Sequence, residues 1–69
     1  MTRIERFIIQ RNMDGFSRDR ARRNLNAMNA AICQQYDDWR KGREIVSVTP
    51  DRGIDNAIGY VRLTVVWDE

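Results

Sequence analysis

The sequence predicts an α+β fold of order β-α-β-β, a three-stranded antiparallel sheet (order 1-3-2) packed against one long helix. Three observations carry this. Between Ser17 and Lys41, Ala21, Leu25, Met28, Ile32, Tyr36 and Trp39 recur every three or four residues, the stripe of an amphipathic helix. Residues 2–10, 43–49 and 60–67 instead carry apolar side chains with a period near two, as strands do. The long helix between the first two strands makes a crossover, and such crossovers are right-handed, so a third strand can slot between the first two.

Thr2 to Gln10 is expected as the first strand, with Ile4 and Ile8 on one face and Phe7 and Ile9 on the other. Arg11 to Phe16 is a turn in which Gly15 accepts a positive φ. Ser17 is placed to cap the helix, with Phe16 and Ala21 as a hydrophobic staple. Arg18, Arg20, Arg22 and Arg23 crowd the first two turns, where the macrodipole disfavours cations. Asp19 can pair with Arg23, and Asp37 with Lys41, each four residues on. Gly42 fits the C′ position beyond the helix.

Arg43 to Thr49 is expected as the second strand, with Val46 and Val48 alternating against Ile45, Ser47 and Thr49. Pro50 to Gly59, rich in Pro, Asp, Asn and Gly, reads as a loop. Tyr60 to Trp67 is the third strand, its face Val61, Leu63, Val65 and Trp67 apolar throughout, which suits the centre of the sheet. With strands of six or seven residues, the sheet would span ~20–23 Å and the helix ~36 Å. The helix is therefore expected to overhang the sheet. The second sheet face is expected to keep Ile4, Ile8, Ile45, Tyr60 and Val66.

The 69 residues make one domain, 1–69, near the lower size limit for a chain that folds alone. Apolar residues at 42% and charged residues at 32% fit a globular protein, and such a small core favours self-association. Cys33 is single, so it forms no disulfide within the chain; it lies beside the stripe and is expected to be partly buried. A reducing, cytoplasmic setting is expected. No apolar run approaches a membrane span, and no signal peptide opens the chain, so no membrane partner is expected.

Catalysis is poorly supplied. Histidine is absent, and Cys33 has no partner at metal-ligand spacing, so no catalytic residue, metal or cofactor is expected. Asp37 and Asp38 diverge on a helix, and Asp51, Asp55 and Asn56 lack the spacing and closing Glu of a calcium loop. Ser17 and Ser47 have no partner base. A non-enzyme is the expectation.

Charge is unevenly placed. Residues 1–23 hold seven arginines against three acids, a net of +4, whereas residues 24–69 have a net of −2. Arg11, Arg18, Arg20, Arg22 and Arg23 are the candidate partner- or anion-binding residues. They suit an acidic protein surface, a nucleic-acid backbone or solvent alone, and all three readings stay open; the cluster lacks interleaved aromatics for base stacking. Tyr36, Trp39, Tyr60, Val66 and Trp67 are the candidate interface residues, with Trp67 too near the terminus to be covered by its own fold.

The run Gly42-Arg43-Glu44-Ile45-Val46-Ser47-Val48-Thr49-Pro50, followed by a Gly59-Tyr60 strand reaching Val66, resembles a family of small β-α-β-β bacterial and phage proteins of unknown function. Their second strand typically reads Gly-Trp-Glu-Leu-Val-Ser-Val, and Leu25-Asn26 is similar to the Leu-Asn of their helix. Arg43 stands where that family has Trp, and the helix here is longer. The resemblance implies the fold and no activity. Dodecins share the outline, but their flavin-binding Trp and Gln find no counterparts here. These readings lead to a small binding protein of accessory or inhibitor type, with phage origin one expectation, that self-associates, most simply as a two-fold dimer. A nucleic-acid binder using the same arginines and a small-molecule sequestering oligomer are the alternatives.

Overall fold

The most apolar strand takes the centre of the sheet. The computed structural model describes residues 1–69 and contains β1 (Thr2–Asn12), α1 (Arg18–Trp39), β2 (Glu44–Asp55) and β3 (Ile58–Asp68). β3 lies between β1 and β2, antiparallel to both, so the order is 1-3-2. The architecture is α+β, as expected.

Helix α1 follows its stripe. Ala21, Met28 and Ile32 are buried, and Leu25, Tyr36 and Trp39 pack half-buried beside them. On the sheet they meet Val61, Leu63 and Val65 of β3, with Phe7 and Ile9 of β1 at the margin. Ser17 caps the start: its hydroxyl accepts from the Arg20 N–H at 3.2 Å. Arg40 is the C-cap, and Gly42, at φ 77, turns the chain towards β2 one residue beyond C′. The helix-surface ion pairs sit three residues apart rather than four: Asp19–Arg22, Asp37–Arg40 and Asp38–Lys41. Cys33, expected to be partly buried, is exposed, because one step of ~100° past Ile32 carries it off the stripe.

The strands are longer than expected. β2 runs from Glu44 to Asp55, so the stretch read as a loop is strand except for Asn56 and Ala57, which close a tight hairpin to β3. Both turn residues have positive φ, 49 and 65, as in a type I′ turn. Pro50 and the charged Asp51 and Arg52 are tolerated because β2 is an edge strand. At 11 or 12 residues the strands reach ~36–40 Å, against ~33 Å for the 22-residue helix, so the helix does not overhang the sheet.

A bulge between Ile45 and Ser47 shifts the phase of β2. Ile45 pairs with Trp67 and Val48 with Val65, so both face the helix. Strict alternation would have separated them. Ile45 therefore leaves the expected far-face set and joins the core.

Helix α1 packs on β3 and β1 and scarcely touches β2. The molecule is long and thin, 44 × 20 × 13 Å, with a radius of gyration of 13.7 Å. A compact chain of this length has a radius of about 11 Å. Its accessible surface is 5050 Å², where about 4,500 Å² is ordinary for its mass. Only eight residues are buried, which leaves large apolar areas outside the single core.

Candidate functional site

The two ends of the molecule differ in chemistry. At one end the β1–α1 turn meets the β2–β3 hairpin, where the Met13 N–H donates to the Ala57 carbonyl at 2.7 Å. The helix starts here, so the arginines of its first turns gather at this end. At the other end Phe7, Tyr36, Trp39 and Trp67 form an aromatic cluster.

The expected arginine cluster is split by the helix. Arg11 and Arg20 lie on the β1 side, over the ring of Phe16 at 5.6 and 4.0 Å from its centroid. Arg11 also donates to Asn24 Oδ1 at 2.6 Å. Arg18 and Arg22 lie on the opposite flank and line a groove between α1 and β2. Arg23 belongs to neither group and is exposed.

That groove has a volume of about 500 Å³. Met13, Ala21, Leu25 and Ile54 make its floor, and Arg18, Arg22 and Arg52 rim it. Arg52 reaches across from β2 and donates to Asn26 Oδ1 at 3.4 Å. It exists because the helix sits over β1 and β3, leaving the helix-facing side of β2 uncovered. Arg52 and Ile54 were missed by the sequence reading. Their signal was Asn56, a residue that tolerates the left-handed conformation, flanked by a polar-apolar alternation that only strand pairing makes meaningful.

The far face of the sheet is a second candidate. Residues opposite one another in register share a face, so Ile4, Arg6 and Ile8 of β1 lie beside Val66, Thr64 and Arg62 of β3. Ile58 and Tyr60 continue this face, and no element covers it. Ile4 and Ile8 are 59% and 55% exposed. Arg62 is held by Asp51 at 2.5 Å across the β2–β3 pair. Ile8, Ile58 and Tyr60 also line a shallow depression of about 490 Å³ at the hairpin end.

The expected interface residues thus fall on both faces. Tyr60 and Val66 lie on the open face. Tyr36, Trp39 and Trp67 pack under the helix; Trp67 is half-buried, covered by its own fold through Trp39 and Arg43. No group of three His, Cys, Asp or Glu side chains lies together where it could hold a metal ion. No helix is long and apolar enough to cross a membrane. No family model matches the chain, and neither a curated protein nor a solved structure matches it.

Proposed function

We propose that this protein acts by binding other protein surfaces rather than by catalysis, and that it self-associates as a two-fold dimer through the open face of its sheet. The observation that supports this is a sheet with a helix on one face only, while the other face presents Ile4, Ile8, Ile58, Tyr60 and Val66. An antiparallel sheet can leave one face in water. Here Ser47, Thr49, Asp51 and Asp55 of β2 keep one side of that face polar, while the apolar side chains form a strip along β1 and β3, interrupted by Arg6, Arg62 and Thr64. Three strands of this length offer ~500 Å² of face, so two copies stacked back to back would bury ~1,000 Å², enough for a specific contact. The same face serves both copies, as two-fold symmetry requires. The excess accessible surface and the thin shape fit a molecule that is half of a thicker one.

Sedimentation at tens of micromolar tests the reading. The expected species has twice the 8.2 kDa mass of one chain. Ile8→Lys should reduce it to a monomer with unchanged far-ultraviolet circular dichroism. Charge reversal at Arg22 and Arg23, on the helix side, should leave the dimer intact. A wild-type protein that stays monomeric throughout this range overturns the reading.

A further inference from the structure

We propose that the groove between α1 and β2 is a docking site for an acidic amphipathic segment of a partner protein, whose apolar side chains enter between Leu25 and Ile54 while its carboxylates meet Arg18, Arg22 and Arg52. Six of the ten acidic side chains are held in ion pairs within the chain: Asp19, Asp37, Asp38, Asp51, Asp68 and Glu69. The cations they engage are the amino terminus, Arg3, Arg22, Arg40, Lys41 and Arg62. Arg18 and Arg52 have no carboxylate partner, and Arg22 has only Asp19, at 3.4 Å on an exposed surface where the pair is weak. No acidic residue lines the groove. Apart from that weak pair the chain leaves the positive rim uncompensated, and the complement is an anionic ligand.

The floor decides which kind. Five of the ten lining residues are hydrophobic, and Ile54 is 50% exposed. A nucleic-acid backbone would satisfy the guanidinium groups but leave that floor empty. Base stacking needs a free aromatic face, and the only aromatic ring in the groove, Phe16, already carries Arg20 at 4.0 Å. An amphipathic peptide satisfies both parts: planar guanidinium groups bind carboxylates in forked pairs, and an apolar anchor fills a groove of this size. A second copy of this chain is a poor occupant, since the apolar side chains it leaves open lie on the other side of the sheet.

The probe is a dye-labelled synthetic peptide with Leu every third or fourth residue and Glu between, followed by fluorescence anisotropy and by amide chemical-shift mapping of the protein. Binding should move the amides of Leu25, Arg52 and Ile54 and leave those of Ile4 and Ile8 in place. The same peptide with Gln for Glu, or with Ala for Leu, should bind about tenfold more weakly or worse, a loss of about 1.4 kcal/mol. Arg18→Glu combined with Arg52→Glu should abolish binding while the circular dichroism is kept, and Ile54→Ser should weaken it without touching charge. Ile8→Lys should bind the peptide normally, which separates this site from the dimer reading. Equal affinity for the Gln peptide, or shifts confined to the open face, overturns the proposal. So does a single-stranded oligonucleotide that displaces the peptide at lower concentration, since the groove would then be a nucleic-acid site. Dissociation of the dimer by the Arg18/Arg52 variant also overturns it, because a second copy would then be the occupant.

Discussion

Trp39 and Trp67 meet edge to face, ring centroids 5.4 Å apart and planes at 89°. Phe7 meets Trp39 in the same manner from β1, also at 5.4 Å. Arg43 closes the cluster: its guanidinium lies 4.5 Å from the Trp39 centroid and 5.2 Å from that of Trp67. It donates from Nη1 to the Trp39 carbonyl at 3.0 Å, which satisfies one of the carbonyls left free at the helix end. One residue thus binds the end of α1, leads into β2 and covers two indoles.

A double-mutant cycle on Trp39→Ala and Trp67→Ala should therefore show a coupling of about 1 kcal/mol beyond the separate losses of buried area. Arg43→Ala should cost ~0.5–1 kcal/mol, as a cation over half-exposed rings does. Urea unfolding followed by tryptophan fluorescence measures all of these. A coupling near zero would mean the two indoles contribute independently.

Ala57 occupies the second central position of the β2–β3 turn at φ 65, where a side chain is disfavoured. Ala57→Gly creates the preferred Asn-Gly turn and should stabilise the protein by about 0.5–1 kcal/mol, raising Tm by several degrees. Gly15→Ala and Gly42→Ala, at φ 79 and 77, should each lose about 1 kcal/mol although nothing lies within 4 Å to clash with the added methyl. A differential scanning experiment in which Ala57→Gly melts no higher than wild type would contradict this account of the turn.

Gly59 is buried on the helix-facing side of β3, and a Cβ there would overlap the thioether of Met13. Gly59→Ala should cost ~1–3 kcal/mol by driving Met13 out of the core towards the groove. Gly53→Ala meets only the Tyr60 side chain, its hydroxyl at 3.2 Å, and should be milder. Chemical denaturation of the two variants side by side checks the order.

Arg18 stands first in the helix, where the macrodipole and the free N–H groups disfavour a cation. Arg18→Glu should raise stability by ~0.3–1 kcal/mol at low salt and lose that gain as salt rises. If the groove takes an acidic segment, the same change weakens its binding, so stability and affinity should move in opposite directions. Ser17→Ala, which removes the cap on the same turn, should cost about 1 kcal/mol irrespective of salt. Thermal melts at two salt concentrations distinguish the two effects.

Much of the fold was legible because its signals are local. The stripe from Ala21 to Trp39 needs a partner face wherever it sits, and the alternation Val61, Leu63, Val65 needs another. Ser17 announced its cap by residue type, and Gly15 and Gly42 announced their turns. The strand ends were hidden because Pro50 to Asp55 has loop composition, and only pairing with β3 makes it a strand. Ile45 was assigned to the wrong face because a bulge adds one residue to the count, and a period-2 pattern inverts at each such addition.

The sequence by itself determined the element order, the central place of β3, the core side chains of α1 and β3 and the basic character of residues 1–23, since each follows from local periodicity, residue type or charge. Met13, read only as part of a turn, joins the core through the tertiary structure. Only the tertiary structure decided which surfaces those elements leave open. A single helix cannot cover three strands; it settled over β1 and β3, and that choice uncovered the flank of β2 and brought Arg52 and Ile54 opposite Arg18, Arg22 and Leu25. It also divided the arginines, turning Arg11 and Arg20 towards Phe16 and leaving Arg18 and Arg22 over the groove. Residues 27 or more positions apart in the chain became neighbours through packing geometry, and no local pattern encodes that.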